Sequence, residues 1–555
     1  MQFPLTVIVA ALSSLSAISA LGGEVLYNGI ELPSTWPPQI KEFRPADQTD
    51  PAVPPYLKNP PALIPIDVGR QLFVDDFLIE STTLKRSFHK LKPYEGNPIL
   101  KPDKPWEAKG QWKEFHGPYA MPFSDGVWYD PQAKCFKMWY MGGLLYCTCY
   151  ATSPDGLKWE KPKLDVVPGT NIVHTGNRDS STVWLDPDEP DPQRRYKMFR
   201  FEKTPKWGLA LHFSADGIHW SKEVRRAGHA YDRTTAFYNP FRKVWCFSIK
   251  GMFPKNQAPG AFQIRRYWEM PDLLNSSMWS GETGALLWVN TDRLDPRLEG
   301  FEGRRACIYD LDCVAYESLM LGLFALHQRY ADREAGQPKK NEIFLGFSRD
   351  GFHWHRPLRE PFVGVSKNRG DWNWGNVQPV GGCCLIVGDK LYFYYSGRAG
   401  SSRLPKQQSF WDADGSTGVG FLRRDGFASM DAEKNKGTLT TRPLTFRGKY
   451  LFVNSNTRGS LCVEVLDRKG AVVKGFDRND CLPLHGDGTR QQVRWRNSQD
   501  LSALAGTPVR LRFVLNDGEL YSFWVSPDAS GASYGYVAAG GPGFSGSRDT
   551  GGKSK

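Results

Sequence analysis

Several patterns that mark common classes of protein are missing from this chain of 555 residues. Its ten cysteines include no Cys-x-x-Cys pair and no Cys/His ligand spacing, which argues against a structural zinc site. No Gly-rich phosphate loop follows a predicted strand and no His-Glu-x-x-His is present, so we expect neither a cofactor nor a metal. The formal net charge is +12, yet no dense run of Lys and Arg occurs, so nucleic acid is not expected as a partner.

The sequence also lacks an uninterrupted apolar run long enough to cross a membrane. The N-terminal MQFPLTVIVAALSSLSAISALGG instead resembles a secretory signal peptide, with an apolar stretch that serines interrupt and small residues near Ala20. We expect residues 1–22 to be cleaved and the mature chain to be secreted or periplasmic, without a membrane span. A retained N-terminal anchor is the alternative. The positive charge fits either an acidic polysaccharide as partner or a solvated basic surface.

A short phrase recurs along the chain. It occurs as SPDGLKW (153–159), SADGIHW (214–220) and SRDGFHW (348–354), with a weaker echo in RRDGF (423–427). Asp-Gly between apolar, β-rich runs is a strong hairpin signal, because Gly accepts the positive φ of a tight turn. The Trp at a fixed offset is expected to pack the returning strand against a neighbouring sheet.

The spacing of the turn aspartates predicts the architecture. Asp155 and Asp216 are 61 residues apart, Asp216 and Asp350 are 134 apart, and Asp350 and Asp425 are 75 apart. The double gap predicts a degenerate copy, for which EMPDLLNSSMW, with Asp272 at its turn, is the candidate. Five units of about 55 to 80 residues, each long enough for four strands, predict a five-bladed β-propeller, since propeller blades are four-stranded sheets repeated around an axis.

Composition divides the rest of the chain. Residues 23–65 are Pro-rich and should wrap over a surface in extended form. The propeller is predicted over 66–435, and the β-rich run RQLFVDDFLIE (70–80) is expected to complete its last blade. Alternating strands without the repeat predict a β-sandwich over 436–540, and the Gly/Ser-rich residues 541–555 predict a disordered tail. The predicted fold class is all-β, a five-bladed β-propeller followed by a C-terminal β-sandwich.

This combination resembles the glycoside hydrolase family 32 and 43 superfamily, and the family 32 layout in particular, including bacterial proteins described only as family-32-like. The resemblance is carried by NPILKPDKPWE (97–107), by the Asp-Gly-x-x-Trp turns and by LYSFWVSPD (520–528). The family's Trp-Met-Asn-Asp-Pro-Asn-Gly and Glu-Cys motifs are absent, while Arg178-Asp179 resembles its Arg-Asp-Pro without the proline. The resemblance implies a secreted hydrolase that cleaves glycosidic bonds of a furanoside or a related exposed sugar.

Such chemistry directs attention to acids that precede the first strand of each blade. Glycoside hydrolysis needs one carboxyl group to protonate the leaving oxygen and a second, on the opposite face of the sugar, as base or nucleophile. First strands line the axis of a propeller, so side chains at their starts should meet there. The candidates, in chain order, are Glu114 and His116, Arg178 and Asp179, Asp232 and Arg233, Asp310 and Asp312, and Asp371, Trp372 and Trp374.

Blade order suggests roles for three of these acids. We predict that Asp179 stabilises the transition state, that Asp232 is the general acid, and that Glu114 is the base or nucleophile. The neighbouring Arg178 and Arg233 could hold a carboxylate ionised or bind a sugar hydroxyl. The remaining candidates are predicted to bind a carbohydrate substrate: His116, Asp310, Asp312, Asp371, Trp372 and Trp374.

Other interpretations of these residues remain open. Asp before a strand is commonly a turn or cap residue, and Trp372 and Trp374 could pack between blades instead of stacking on sugar. A catalytically inactive carbohydrate-binding propeller is the alternative function. A sialidase-like enzyme is a third, since Ser-x-Asp-Gly-x-x-Trp resembles the Asp-box turn, although those rings have six blades and five units argue against it.

Some features are expected to be structural only. The turn acids lie between outer strands, away from the axis, and QPKKNE (337–342) is predicted to be a solvated loop. Most cysteines should be small buried apolar residues. Cys462 and Cys481 are the pair to test first for a disulfide.

Overall fold

The computed structural model describes residues 23–41, 44, 48–110, 118–176, 178–204, 206–252, 263–281, 283–300, 304–330, 339–400, 414–434, 436–498 and 500–551. This part of the chain is nearly all β. Within it, no helix is long and apolar enough to cross a membrane. The predicted signal peptide, residues 1–22, lies outside the described residues.

The N-terminal part carries short elements before the first large sheet. Its helix and strands are α1 (Pro55–Lys58), β1 (Ile64–Pro65), β2 (Gln71–Leu72), β3 (Ile79–Thr82), β4 (Lys85–Phe88) and β5 (Lys92–Pro93). Short 3-10 turns occur at Pro105–Ala108, Pro192–Arg194 and Ser502–Leu504.

Five antiparallel sheet units follow one another along the chain. Units one and two contain β6 (Ala120–Asp130), β7 (Cys135–Gly142), β8 (Cys147–Ser153) and β9 (Ile172–His174), then β10 (Ser181–Leu185), β11 (Tyr196–Glu202), β12 (Gly208–Ser214) and β13 (Arg225–Arg226). Units three and four contain β14 (Thr235–Asn239), β15 (Val244–Met252), β16 (Gln263–Met270) and β17 (Leu286–Val289), then β18 (Cys307–Glu317), β19 (Leu319–Arg329) and β20 (Lys340–Ser348). Unit five contains β21 (Asn376–Pro379), β22 (Leu385–Val387), β23 (Lys390–Arg398) and β24 (Gly415–Arg423).

The first strands of the five units contact one another in a closed cycle. β6 lies beside β10, β10 beside β14, β14 beside β18, β18 beside β21, and β21 beside β6. β6 and β10 also pair in parallel, with Ser124 opposite Ser181. The side chains of these strands are almost all buried, so the five units pack around a common axis.

The repeated turns share one hydrogen-bond geometry. In each, one carboxylate oxygen of the aspartate accepts the backbone N–H groups two and three residues later. The two distances are 2.8 and 2.8 Å at Asp155, 2.8 and 2.9 Å at Asp216, 2.7 and 3.1 Å at Asp272, and 2.9 and 2.8 Å at Asp350. Asp272 therefore marks a degenerate copy of the turn, as its spacing predicted.

Each full copy of the turn contacts the preceding unit in the cycle. A Cβ on Gly217, where φ is +81°, would lie 2.4 Å from the Trp139 ring of unit one. The repeat therefore needs glycine both for its backbone conformation and for close approach to a neighbouring sheet. The hydrogen bonds across the unit boundaries run from Tyr394 Oη to the Gly156 carbonyl (2.7 Å), from Trp139 Nε1 to the Gly217 carbonyl (2.7 Å) and from Trp288 Nε1 to the Phe352 carbonyl (2.8 Å).

A different segment from the predicted one completes unit five. β5 pairs with β24, whereas β2 and β3, from the predicted run 70–80, pair with C-terminal strands. The reason is apolar packing, because Phe73 lies 5.6 Å from the ring of Phe523 and 6.2 Å from that of Phe513 in the C-terminal core.

The C-terminal strands form one hydrogen-bonded sheet that also recruits β2, β3 and β4. Its other members are β25 (Ala428–Ala432), β26 (Gly437–Thr441), β28 (Tyr450–Leu466), β29 (Leu484–Gln492) and β30 (Arg510–Ser526), while β27 (Leu444–Thr445) pairs in parallel with β1. The 17-residue strands β28 and β30 pair along their length. The first half of β30 also pairs with β26 and its second half with β25. The two halves share one apolar core.

Arg70 joins the ring of units to the C-terminal sheet. Its Nη1 lies 3.0 Å from Asp425 Oδ2, its Nε lies 3.5 Å from Glu317 Oε1, and its guanidinium lies 4.1 Å from the centroid of the Trp524 ring. The hydroxyl of Tyr316 donates to Asp425 at 2.6 Å. Asp425, the weaker echo of the repeat, is thus a buried acid of this junction and lacks the geometry of the other turns.

The Pro-rich N-terminal segment contributes more side chains to the protein core than its composition predicted. The Pro-rich segment has little regular structure, as expected, but Leu26, Ile30, Leu32 and Tyr56 join the C-terminal core.

Residues 541–551 of the tail predicted to be disordered are ordered. β31 (Tyr536–Val537) pairs with β18, and the chain then reverses, so that Val537 N donates to Ser547 O and Tyr534 N to Asp549 O. Gly543, at φ +97°, permits the reversal that lets a Gly-rich segment form these bonds.

All ten cysteines are free thiols, and all except Cys135 are buried. Cys462 and Cys481, the pair singled out for a disulfide, lie next to each other. A hydrogen bond with Cys481 lowers the pKa of the Cys462 thiol to about 7.

The contact made by the repeated turn can be tested with two glycines of similar φ. Gly217→Ala should lower the free energy of unfolding by about 2–4 kcal/mol, because the new methyl group meets the Trp139 ring and the backbone is strained. Gly169→Ala, at φ +78° with open space around it, should cost only the backbone strain, about 1–2 kcal/mol. Equal losses for the two variants in urea unfolding would contradict the role of the turn in joining units.

Candidate active site

The starts of the first strands bring polar side chains together near the axis. Asp125 on β6 pairs with Arg178, which precedes β10, at 2.7 Å, and both side chains are fully buried. The hydroxyl of Ser181 donates to the same carboxylate at 2.5 Å. Arg178 meets its neighbour Asp179 only through the backbone, since its Nε donates to the Asp179 carbonyl at 2.6 Å. The predicted coupling of Arg178 to the Asp179 carboxylate is therefore replaced by an ion pair with unit one.

Arg233 has the corresponding position before β14 and also pairs across units. Its guanidinium contacts the Asp310 carboxylate of β18, and both side chains are fully buried. Its backbone N–H donates to Ser180 Oγ at 2.7 Å, and its φ is +61°. Arg233 thus does not pair with the adjacent Asp232, and its side chain is enclosed in the core.

Asp310 and Asp312 point in the same direction, as their spacing predicted. The hydroxyl of Ser124 lies 3.0 Å from Asp310 Oδ2 and 3.1 Å from Asp312 Oδ2. Burial raises the pKa of Asp312 to about 6. Ser124 itself has φ +65°, a conformation that is costly for a residue with a Cβ and that the surrounding contacts must maintain.

Asp179 is a carboxyl group in an environment that favours the protonated form. Its Oδ1 accepts the Ser180 N–H at 2.9 Å. Burial raises its pKa above the usual 3.8, and the nearby charge of Asp232 raises it further. These effects outweigh the opposing charges of Lys203 and Lys250.

Asp232, in contrast, is kept in its ionised form. Burial alone would raise its pKa, but Lys250 Nζ lies 2.7 Å from its Oδ1 and, by charge and hydrogen bond, lowers the pKa below 3.8. Two neighbouring carboxyl groups at the starts of adjacent units therefore differ in their affinity for a proton. That difference is what acid–base catalysis by a pair of acids requires.

Two lysines near these acids were not predicted. Lys250 lies near the end of the apolar run VWCFSIKG on β15. A cation in an otherwise buried strand was the sequence signal that could have identified it. Lys339 Nζ lies 3.8 Å from the centroid of the Tyr309 ring, and burial and then the charge of Lys250 lower its pKa to about 7. The run QPKKNE was predicted to be a solvated loop, but Lys339 directly precedes β20 and residues 340–342 begin that strand.

Among the described residues, Asp371 is not brought into this cluster. Glu114 and His116 lie outside the described residues. Asp371 is exposed and accepts a hydrogen bond from Ser366.

The two tryptophans make contacts within the protein. Trp372 packs on Gly397 and Gly418 of unit five, with Tyr395 at 5.4 Å between ring centroids. Trp374 has the guanidinium of Arg369 at 5.7 Å. Trp372 therefore packs on strands within unit five, instead of between blades as its alternative interpretation had it.

Two cavities differ in their relation to the acids. One, of about 760 Å³, lies between units two and three and is lined by Lys203, Trp207 and Tyr231, among others. Tyr231 adjoins Asp232 in sequence, and the charge of Lys203 acts on Asp179. The other, of about 570 Å³, is formed by the first-to-second-strand turns of units one to three and by the C-terminal segment 536–548. Neither acid lines either of these cavities, but the first cavity has the neighbour of Asp232 in sequence and a lysine that acts on Asp179, whereas the second has neither.

Among the described residues, no group of three or more His, Cys, Asp or Glu side chains is placed to hold a metal ion.

The chain was compared with known proteins. No family model matches it and no curated protein matches it. It is similar to a solved structure from work on glycoside hydrolases of the family 130 mannoside phosphorylases that target β-1,2 mannosidic linkages in Candida mannan. That match has 14% identity and TM-score 0.37, covering 62% of this chain and 97% of the other. A glycosyl hydrolase from Bacteroides ovatus (13%, TM-score 0.39, 64% and 97%) and a thermostable family-43 glycoside hydrolase (13%, TM-score 0.36, 55% and 93%) are similarly distant. Likenesses this low carry no argument, so function rests on the side chains of this chain.

The ion pair under the acids can be tested by removing one partner. Asp310→Asn should lower the free energy of unfolding by about 3–5 kcal/mol, because it leaves the Arg233 guanidinium buried without a counter-charge. Asp371→Asn, on the surface, should change it by less than about 0.5 kcal/mol. The double variant Asp310→Leu/Arg233→Met should regain most of the loss in thermal or urea unfolding. Equal stability of the Asp310 and Asp371 variants would contradict the account.

Proposed function

We propose that this protein is a glycoside hydrolase whose site lies at the axis of a five-bladed β-propeller, with a β-sandwich formed by the C-terminal strands. The closed cycle of first strands supports the propeller. The long pairing of β28 and β30, with β26 and β25 on the two halves of β30 around one core, supports the sandwich. The observation that carries the function is the acid pair: burial favours a proton on Asp179, while Lys250 keeps Asp232 ionised.

The pair meets the needs of glycosidic bond cleavage. One protonated carboxyl group must give its proton to the leaving oxygen as the bond from the anomeric carbon to that oxygen breaks. A negative group must support the positive charge that develops on the sugar, either as nucleophile or as the base that takes a proton from the attacking water. Asp179 fits the first role and Asp232 fits the second. This assignment moves the acid role predicted for Asp232 to Asp179 and gives Asp232 the role of base or nucleophile predicted for Glu114. The reason is that the proton affinities depend on Lys250, which blade order does not contain.

The neighbouring cavity gives the substrate a place beside these acids. Its exposed indole, Trp207, offers an apolar ring face next to Tyr231, and sugars present apolar C–H faces that stack on such rings. A carbohydrate-binding protein without activity would use the same cavity, and the acid variants below separate the two functions.

Loss of the proton donor should abolish hydrolysis without unfolding the protein. Asp179→Asn should lower kcat by about 10²–10⁴-fold, the contribution typical of general acid catalysis. Because burial raises the pKa of Asp179 in the folded state, this carboxyl group disfavours folding at pH values above its ordinary pKa of 3.8, so the variant should melt at the same temperature or higher. Asp165→Asn, an exposed acid of unit one, is the matched control. Hydrolysis by Asp179→Asn at the rate of the Asp165 variant would contradict the assignment.

The pH profile tests Lys250. Its charge lowers the pKa of both Asp232 and Asp179, so Lys250→Met should raise both. The acidic limb of kcat/KM, which requires ionised Asp232, and the alkaline limb, which requires protonated Asp179, should then both move to higher pH. Lys222→Met removes an exposed charge of unit two and should leave the profile unchanged. A Lys250 variant with unshifted limbs would rule out this electrostatic role.

A further inference from the structure

The cavity between units two and three has an aromatic wall that the described part of the chain leaves partly exposed. Trp207 remains 41% exposed. The His229 ring lies parallel to it, at 8° and 6.0 Å between centroids, and Tyr231 stands edge-on at 5.7 Å. These neighbours fix the indole plane, so the ring is held ready for a flat ligand face.

The same cavity carries two cations and no described acid. Lys203 and Lys206 both line it, and Lys203 Nζ lies 5.5 Å from the centroid of the Trp207 ring. None of the described residues that line the cavity is acidic. Within the described part of the chain, neither ammonium group forms an ion pair with a carboxylate within 4.0 Å.

The nearest acids in sequence are already committed to other cations. Glu202, next to Lys203, pairs with Arg200 at 2.8 Å and with Arg226 at 2.7 Å. Glu223 pairs with Arg226 as well. Apart from the effect of Lys203 on the charge of nearby Asp179, the two lysines have no described carboxylate as an ion-pair partner, and their positive charge is left for a ligand.

We infer that this cavity binds an anionic sugar residue, one that carries a carboxylate or a sulfate ester, with its ring on Trp207 and its charged group on Lys203 and Lys206. Ammonium groups hold such oxygen anions through charge-assisted hydrogen bonds, and the net charge of +12 favours the approach of a polyanion. The inference rests on the proposed function, since Asp179 and Asp232 beside the cavity would act on the bond to the neighbouring sugar. On this inference the substrate is an acidic polysaccharide, which was one of the two explanations offered for the positive net charge of the chain.

Binding tests the inference independently of catalysis. The probes are the trimer of galacturonic acid, the neutral galactose trimer and its 6-O-sulfated form, titrated calorimetrically against the Asp179→Asn variant of the full chain. We expect at least one charged trimer to bind at least tenfold more tightly than the neutral one. Adding Lys203→Gln and Lys206→Gln should weaken the bound charged trimer by about 10-fold or more and leave the neutral one unchanged. Lys222→Gln, which removes one exposed charge from the same unit, is the control for each single lysine substitution.

The outcomes distinguish a carboxylate from a sulfate ester as the bound group, and they distinguish failure of this inference from failure of the proposed function. Binding of the galacturonic acid trimer alone assigns a carboxylate, and binding of the sulfated trimer alone assigns a sulfate ester. If no charged trimer binds, if the neutral trimer binds as tightly, or if the lysine variants bind unchanged, the inference is wrong even when the wild type hydrolyses a neutral glycan. Lysine-dependent binding without hydrolysis of any glycan by the wild type contradicts only the proposed function. Trp207→Ala should weaken all trimers and Trp207→Phe should restore binding, which a purely electrostatic contact would not show.

Discussion

The site depends on two buried ion pairs that cross between units. Arg178 with Asp125 and Arg233 with Asp310 place four charges in the core, and charges there are tolerated only in well-paired geometry. Each arginine directly adjoins a catalytic candidate in sequence. By anchoring the backbone at 178 and 233, the pairs fix the positions of Asp179 and Asp232 without using the carboxylates themselves. The acids remain available for a proton and for a substrate.

The repeated turns likewise have a structural role and take no part in the proposed chemistry. The Asp-Gly turns satisfy their own backbone amides and contact the preceding unit through Tyr394, Trp139 and Trp288. They use carboxylates for hydrogen bonding at one end of the units, whereas the acid pair lies at the starts of the first strands. A ring of units with rigid turns can hold two carboxyl groups in different environments, which is the requirement for their different proton affinities.

The parts of the fold that depend on local chemistry could be predicted from the sequence. Turn signals and their spacing gave five units and the degenerate copy at Asp272, because a turn is specified by a few adjacent residues. Asp179 and Asp232 could be located by their place before a first strand. Their protonation could not, since it depends on Lys250, contributed by another strand. The partners of Arg178 and Arg233 were missed for the same reason, as was completion of unit five by β5 instead of the run 70–80, where Phe73 finds a better core.

The central claim is that the two neighbouring carboxyl groups bind protons with different affinity. Carbon-13 NMR of protein labelled at the aspartate carboxyl carbons, assigned by the loss of one signal in Asp179→Asn and in Asp232→Asn, measures both titrations directly. The account predicts that Asp179 titrates above the usual aspartate pKa of 3.8 and Asp232 below it. Titration of both groups together near 3.8, or of Asp232 above Asp179, would contradict it.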